Sequence, residues 1–354
     1  MRLHNMTNAH LSPFNPTQLI QLDEQELLAR QQKFLAAASA ENTRRSYRSA
    51  IRHFMNWGGY LPCDSALVLR YLLSHADLLN ARTLAVRLTA LSQWHCYQGF
   101  DDPTKHGDIR LSLRGIQRSL GKPARRAKAL HYEELQEILR ALARQTDVRA
   151  QRDAALLQLG FFGGFRRSEL VSLEVGDLSF NREGLIVNLR QSKTDQLKLG
   201  INKAIPYLPD VNDASLSTST RQFMCPVTAI KKWLELARIS DGPLFRQISR
   251  WKQISVKGLS PAAVSDIVRR GAESAGLPES ECYSAHSLRR GMATSAYRAG
   301  ASFSEIKRQG AWRHDGTVQV YIDEAKLFEE NAASKLMLKH LAAQNENSKP
   351  SDNS

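Results

Sequence analysis

A break in helical periodicity near residue 125 is the feature that most constrains how this 354-residue chain can fold. Apolar residues recur at helical spacing from Leu19 to about Leu120, and the same spacing resumes near Leu130. The intervening segment, Gly121-Lys122-Pro123-Ala124-Arg125-Arg126-Ala127-Lys128, combines helix-breaking residues with several cations and lacks the large apolar side chains that build a core. The sequence therefore predicts two mainly helical domains joined by a basic linker.

The second block also contains two short β-like runs, at 185–189 and 204–208, with the polar segment 191–202 between them. We therefore expect a mainly α fold in which the second domain includes a small β-sheet or hairpin. The predicted limits are a flexible lead-in at 1–18, a first domain at 19–121, a linker at 122–129, a second domain at 130–342 and a disordered tail at 343–354. Helices are predicted at 43–57, after Ser65, and at 82–97, 108–120, 131–145, 148–162, 226–238, 261–275, 287–298, 302–309, 316–323 and 326–342.

The charge of the chain indicates a polyanionic partner. The formal net charge is +14, and residues 1–128 carry +9 of it. A solvated basic surface that aids solubility would have the same composition, but an excess of this size is typical of proteins that bind nucleic acid.

Arginines of the first domain and the linker are the candidate DNA contacts. Arg110, Arg114 and Arg118 repeat every four residues and therefore form one stripe on a helix. Such a stripe is usually a solvated face, and contact with phosphate is the alternative. The full candidate set is Arg44, Arg45, Arg48, Arg82, Arg87, Arg110, Arg114, Arg118, Arg125 and Arg126.

Several other classes of protein are disfavoured. No run approaches the roughly 20 apolar residues of a membrane helix, and the N-terminus lacks the layout of a signal peptide. We expect no membrane association and a cytoplasmic, nucleoid-associated protein. The cysteines lie far apart without a Cys-x-x-Cys pair, and Asp and Glu do not cluster. We therefore expect no disulfide framework, no metal and no cofactor.

The residues that carry chemistry lie mostly in the second domain. Tyr321 lies nine positions after Trp312, which lies 26 positions after His286 in His286-Ser287-Leu288-Arg289. Arg166 follows the apolar segment 156–165.

Buried arginines require partners, and Glu169, three residues after Arg166, can orient its guanidinium. A structural ion pair would explain these two residues equally well. Lys193 lies in Gln191-Ser192-Lys193-Thr194, after the first β-like run.

Judged singly, each of these residues has a simpler interpretation. His286 and Arg289 could be a surface pair, and Lys193 could be a solvated lysine. Trp312 and Tyr321 could both be core aromatics. Together they supply fixed cations, an imidazole, an indole and a phenol in a basic chain. That combination suits the transfer of a phosphodiester onto a tyrosine.

In order and spacing these residues resemble the tyrosine recombinases, the family of phage and plasmid integrases. The family carries an Arg in a Gly-Leu-Arg-x-Ser-Glu-Leu-like box, a hairpin Lys, a His-x-x-Arg, then His or Trp, and then Tyr. The matching residues here are Arg166, Lys193, His286, Arg289, Trp312 and Tyr321. The Trp at the fifth position, the Ser-Lys-Thr hairpin and the Arg-Ala-Lys linker resemble the Cre-like members most. Phe165 departs from the more usual leucine.

The resemblance implies a role for each matching residue. Tyr321 would attack the scissile phosphate and form a 3′-phosphotyrosyl intermediate, and His286 would take the phenol proton. Arg166 and Arg289 would clamp the nonbridging oxygens, with an N–H from Trp312. Lys193 would protonate the leaving 5′-oxygen.

The resemblance also implies a clamp around double-stranded DNA and strand exchange by four protomers on two sites with short inverted repeats. The protein would be a monomer when free, and it would need neither metal nor ATP. The last predicted helix, from Lys326, would dock onto a neighbouring protomer or pack within its own domain. Alternatives are a type IB topoisomerase-like or telomere-resolving enzyme, and a non-catalytic DNA-binding protein. Bacterial, phage or plasmid origin is expected.

Overall fold

The computed structural model describes residues 41–122, 126–190, 200–208, 223–327 and 331–347. The chain divides into two compact units, residues 1–125 and residues 126–354. The described parts of both units are mainly helical, with two small antiparallel sheets in the second, which confirms the predicted fold class. No helix within these ranges is long and apolar enough to span a membrane.

The described part of the first unit is a cluster of helices around an aromatic and aliphatic core. Asp64 and Asn80 cap two of these helices by accepting hydrogen bonds from the backbone N–H groups of Leu67 and Arg82. The helices are α1 (Glu41–Asn56), α2 (Ser65–Ser74), α3 (Ala81–Tyr97) and α4 (Gly107–Ser119). Their buried residues include Phe54, Val68, Tyr71, Leu72, Leu84, Leu91 and Ile109.

The second unit contains the predicted helices and some elements that the sequence did not indicate. Its helices are α5 (Tyr132–Ala143), α6 (Val148–Phe162), α7 (Arg167–Ser172), α8 (Pro226–Ala237), α9 (Pro261–Ser274), α10 (Ala285–Arg298), α11 (Phe303–Gly310), α12 (Asp315–Lys326) and α13 (Ala332–Asn347). Its strands are β1 (Leu178–Phe180), β2 (Gly184–Leu189), β3 (Ile201–Pro206), β4 (Arg246–Ile248) and β5 (Ile254–Gly258). The short elements α7, β1, β4 and β5 were not predicted.

The three-stranded sheet has the order β1-β2-β3, and both pairings are antiparallel. In its register Leu185 pairs with Ile205 and Val187 pairs with Lys203. All four residues are buried, so one face of β2 and β3 packs into the core of the unit. Lys203 therefore occupies a position that the strand pattern reserves for an apolar residue.

Helix α10 crosses close to the start of the second unit. The backbone N–H of Leu130 donates to Ser287 O at 3.1 Å. A Cβ on Gly291 would lie 1.5 Å from Leu130 O, so only glycine permits this approach. The chain between Ala127 and Leu130 is thereby held against α10.

The end of the chain differs from the sequence-based expectation. Lys326 ends α12 instead of beginning the last helix, because the buried spacing of Val318, Tyr321, Ile322 and Ala325 continues a single helix to that point. The last helix begins at Ala332 and continues to Asn347, so residues 343–347 of the predicted disordered tail are helical.

Candidate active site

Arg166 stands at the end of a sharp reversal of the chain after α6. Gly164 has a φ of 54°, and a Cβ there would lie 2.4 Å from Met292 Cε, so this position favours glycine. Glu169 accepts hydrogen bonds from the backbone N–H of Arg166 at 2.9 Å and from its Nη1 at 2.5 Å. Burial alone would raise the pKa of Glu169, but these contacts hold that pKa below its ordinary value. The guanidinium of Arg166 is thus fixed at one edge and remains partly exposed.

Helix α10 contributes both His286 and Arg289. Arg289 is only 2% exposed, and its Nη1 donates to Gly164 O in the turn before Arg166. Its Nη2 is buried and has no hydrogen-bond partner within the described part of the chain. Burial lowers the pKa of Arg289 to about 10, with a further contribution from Arg166, so the group stays charged near neutral pH. A buried charged donor without an acceptor is costly, and such groups are typical of binding sites.

Trp312 lies against the guanidinium of Arg289. The chain reaches it after α11 through Ala311, which has a φ of 51°. The Arg289 guanidinium carbon lies 4.1 Å from the centroid of the Trp312 ring, which is the geometry of a cation–π contact. Trp312 therefore contacts Arg289 through the face of its ring.

Tyr321 and His286 are in hydrogen-bond contact. Tyr321 Oη lies 3.1 Å from His286 Nε2, and the phenol is 6% exposed. Burial raises the pKa of Tyr321, although Arg289 and Arg290 act in the opposite direction. Desolvation, followed by the charges of Arg289 and Arg290, lowers the pKa of His286. Near neutral pH the phenol is therefore protonated and the imidazole is neutral, so the imidazole can accept the phenol proton.

The structure brings together five of the six predicted catalytic residues. Arg289 contacts Gly164 O, in the turn before Arg166, and the ring of Trp312. His286, on the same helix as Arg289, contacts Tyr321. Lys193 lies outside the described residues. The described residues nearest to it in sequence, 190 and 200, adjoin strands β2 and β3.

Two further cations near this cluster were not predicted. Arg290 is 4% exposed; its Nη1 donates to Ala127 O, and its Nη2 donates to both carboxylate oxygens of Glu324 on α12. Its guanidinium carbon also lies 5.9 Å from the centroid of the Tyr321 ring. The second is Lys203, on the inner face of β3. The alternation of Ile201, Lys203 and Ile205 could have revealed the buried lysine, whereas the partner of Arg290 lies 34 residues away and leaves no local signal.

The predicted DNA-binding arginines have different surroundings. Arg44 and Arg48 both pair with Glu41, and Arg87 donates to Tyr71 Oη at 2.8 Å. These side chains are therefore engaged within the first unit. The exposed members of the set are Arg45, Arg48, Arg82, Arg110, Arg114, Arg118 and Arg126, whereas Arg125 lies outside the described residues.

The arginine stripe lies on the solvent side of α4, whose buried residues are Ile109 and Ile116. Contact of any of these arginines with DNA stays a prediction. No cluster of three or more metal-ligating side chains occurs in the ranges that the structure describes.

Residues 128–327 match the sequence model of the phage integrase family. The chain belongs to this family, and it is a tyrosine site-specific recombinase. A relative from Selenomonas ruminantium, the integrase/recombinase xerD homolog, is 34% identical over 322 residues, which cover 89% of this chain and 91% of that protein.

Two solved structures share the fold. The XerH recombinase bound to a palindromic difH substrate in a post-cleavage complex aligns with a TM-score of 0.57 and 20% identity, over 82% of this chain and 78% of that one. A lambda integrase tetramer bound to a Holliday junction aligns with a TM-score of 0.50 and 18% identity, over 84% and 76% of the two chains.

Proposed function

We propose that this recombinase cleaves and rejoins DNA through a covalent 3′-phosphotyrosyl intermediate on Tyr321. The observation that carries the proposal is the 3.1 Å contact between Tyr321 Oη and His286 Nε2, beside Arg289 Nη2, which has no hydrogen-bond partner among the described residues. A nucleophile, a proton acceptor and a fixed cation with a vacant donor are the parts that phosphoryl transfer to tyrosine requires.

In the cleavage step, Tyr321 Oη attacks the scissile phosphorus while its proton passes to His286 Nε2. The new Oη–P bond forms as the bond from phosphorus to the 5′-oxygen breaks. The leaving 5′-oxygen must also take up a proton, and we assign Lys193 as the donor of that proton on the basis of the family pattern. A neutral imidazole is ready for this role because the pKa of His286 is lowered.

Two guanidinium groups stabilise the charge that develops on the phosphate. Arg166 is held by Glu169, and Arg289 is held by Gly164 O and by the face of Trp312. Because these contacts fix both groups before DNA binds, little reorganisation accompanies the reaction. Nη2 of Arg289 is covered in this state, so we infer that the covering side chains shift as the phosphate enters.

Rejoining needs no external energy source, since the phosphotyrosine bond conserves the energy of the phosphodiester. A 5′-hydroxyl from a second DNA site attacks the phosphorus and releases Tyr321. We propose a tetramer on two inverted-repeat sites, as a lambda integrase tetramer is bound to a Holliday junction and XerH is bound to a palindromic substrate. Leu336, Met337 and Leu338 of α13 are each 60–66% exposed, which favours docking of this helix onto a neighbouring protomer.

The test is formation of a covalent adduct with DNA. The protein is incubated in EDTA with nicked duplexes drawn from the DNA that flanks its gene, and adducts that survive SDS are resolved on a gel. We expect an adduct from the wild type and none from Tyr321→Phe. Tyr297→Phe, on α10, is the matched control and should retain the adduct.

An adduct that persists in Tyr321→Phe would reject the nucleophile assignment. Relaxation of supercoiled plasmids that lack any specific site, without strand exchange, would favour the topoisomerase-like alternative. DNA binding without any adduct would favour a non-catalytic role.

A further inference from the structure

Lys203 is a buried lysine beside the two arginines of the site. It is 2% exposed and points inward from β3. Its Nζ donates to Gly163 O at 2.6 Å and to Gln309 O at 2.8 Å, and it lies 4.7 Å from the centroid of the Phe165 ring. The mechanism described above does not use this residue.

The two carbonyl groups that Lys203 contacts belong to the segments that carry other site residues. Gly163 lies at the start of the turn that ends at Arg166. The next residue in this turn, Gly164, accepts the hydrogen bond from Arg289 through its carbonyl oxygen. Gln309 lies at the end of α11, shortly before Trp312. One ammonium group therefore joins β3 to both segments.

The same junction is strengthened by the side chain of Gln309. Its Nε2 donates to Phe162 O at 2.7 Å and to Ala204 O at 3.1 Å. These bonds connect the same three segments from the other side: the end of α6, strand β3 and the end of α11. Lys203 and Gln309 together satisfy four backbone carbonyls where three elements meet.

A lysine at this position is an expensive way to stabilise a core. Burial, together with the charges of Arg289 and Arg166 and against the opposing charge of Glu169, lowers the pKa of Lys203 to about 7. Near that pH the group is partly neutral, and a neutral amine still carries the two N–H donors that the two carbonyls need. The junction therefore persists on both sides of neutrality.

We propose that Lys203 is a positioning residue that sets the distance between the Arg166 turn and the Trp312 segment, and thereby the placement of Arg289 between them. This inference rests on the proposed function, because it concerns the geometry of the phosphate site. A shift of about 1 Å in such a site can slow the chemical step by about 100-fold.

The experiment separates the chemical step from DNA binding. Single-turnover adduct formation is measured at saturating nicked DNA for the wild type, Lys203→Met and Gln309→Ala, and DNA affinity is measured in parallel. Methionine keeps an apolar stem of similar length but removes both donors. Gln158→Leu is the matched control, since it removes a buried donor from α6 that bonds to Phe223 O, away from this junction.

We expect Lys203→Met to lower the saturated cleavage rate by about 10- to 100-fold with unchanged DNA affinity. Gln309→Ala should lower the same rate by a smaller factor, and Gln158→Leu should not lower it although it destabilises the fold. In folded Lys203→Met, amide hydrogen exchange should accelerate in the peptides that contain residues 163–166 and 309–312.

Each failure has its own signature. If the wild type forms no adduct, the proposed function fails. If the wild type forms the adduct and folded Lys203→Met cleaves at the same saturated rate, only the positioning role is overturned. If Lys203→Met does not fold, an unchanged cleavage rate in Gln309→Ala overturns it.

Discussion

Removal of Glu324 should destabilise the second unit through the charge that it leaves behind. The Arg290 side chain is 5% exposed and that of Glu324 is 39% exposed, so only one partner of this pair is shielded from water. Breaking a fully buried pair costs about 3–5 kcal/mol, whereas an exposed pair contributes about 0.2–1 kcal/mol. Because water can partly replace Glu324, we expect Glu324→Ala to cost about 2 kcal/mol, between these limits.

The measurement is thermal unfolding followed by calorimetry or circular dichroism. For a unit of this size 1 kcal/mol corresponds to about 2–4 °C, so the transition should fall by about 4–8 °C. Asp323→Ala is the matched control, since it removes the same charge one residue earlier. Asp323 is exposed and accepts a bond from Gln319, a contact worth about 0.2–0.5 kcal/mol.

The reasoning would be refuted if the two variants lowered the transition equally. That result would mean that Arg290 finds another acceptor, or that its burial carries no penalty. Glu324→Gln should lie between the wild type and Glu324→Ala, because the amide keeps one acceptor oxygen.

Two further predictions concern the chemical step. Because the pKa of His286 lies below its ordinary 6.5, the saturated cleavage rate should be retained near neutral pH and fall only as pH drops through that lowered value, where the imidazole becomes protonated. His286→Gln should slow cleavage by about 100- to 10,000-fold and abolish the loss of rate at low pH. An unaltered pH profile in this variant would assign the loss of rate to another group. Trp312→Ala should slow cleavage by about 2- to 30-fold, the kinetic equivalent of a cation–π contact, and Trp312→Phe should recover most of the rate. Equal rates for these two variants in the adduct assay would instead favour the indole N–H as the contributing group.

The sequence was sufficient for features with a local pattern. Helix α6 was predicted with the limits that the structure gives, because its apolar residues recur at helical spacing between clear end signals. The order and spacing of His286, Trp312 and Tyr321 likewise indicated a site before any distance was known. Strands β4 and β5 were missed because they are short, and Val256 of β5 is 77% exposed, so no alternation marks them.

Features that depend on the tertiary fold could not be predicted. The bond from Lys203 to Gln309 O joins residues 106 positions apart, and the pair of Arg290 with Glu324 spans 34. Neither pair has a spacing that a helix or hairpin would bring together. A charged residue in an apolar stripe predicts that a partner exists, but the fold alone decides which residue it is.

The contacts of Arg290 have a thermodynamic consequence for the start of the second unit. The same guanidinium holds Ala127 O and the carboxylate of Glu324, which lies one helical turn beyond Tyr321 on α12. Coupling free energies are reciprocal: if displacement of the chain at Ala127 changes the free energy of forming a bond at Tyr321, formation of that bond changes the free energy of displacing Ala127 by the same amount. One arginine thus joins the backbone at Ala127 to the helix that bears Tyr321, so the energetics of these two parts of the second unit are linked.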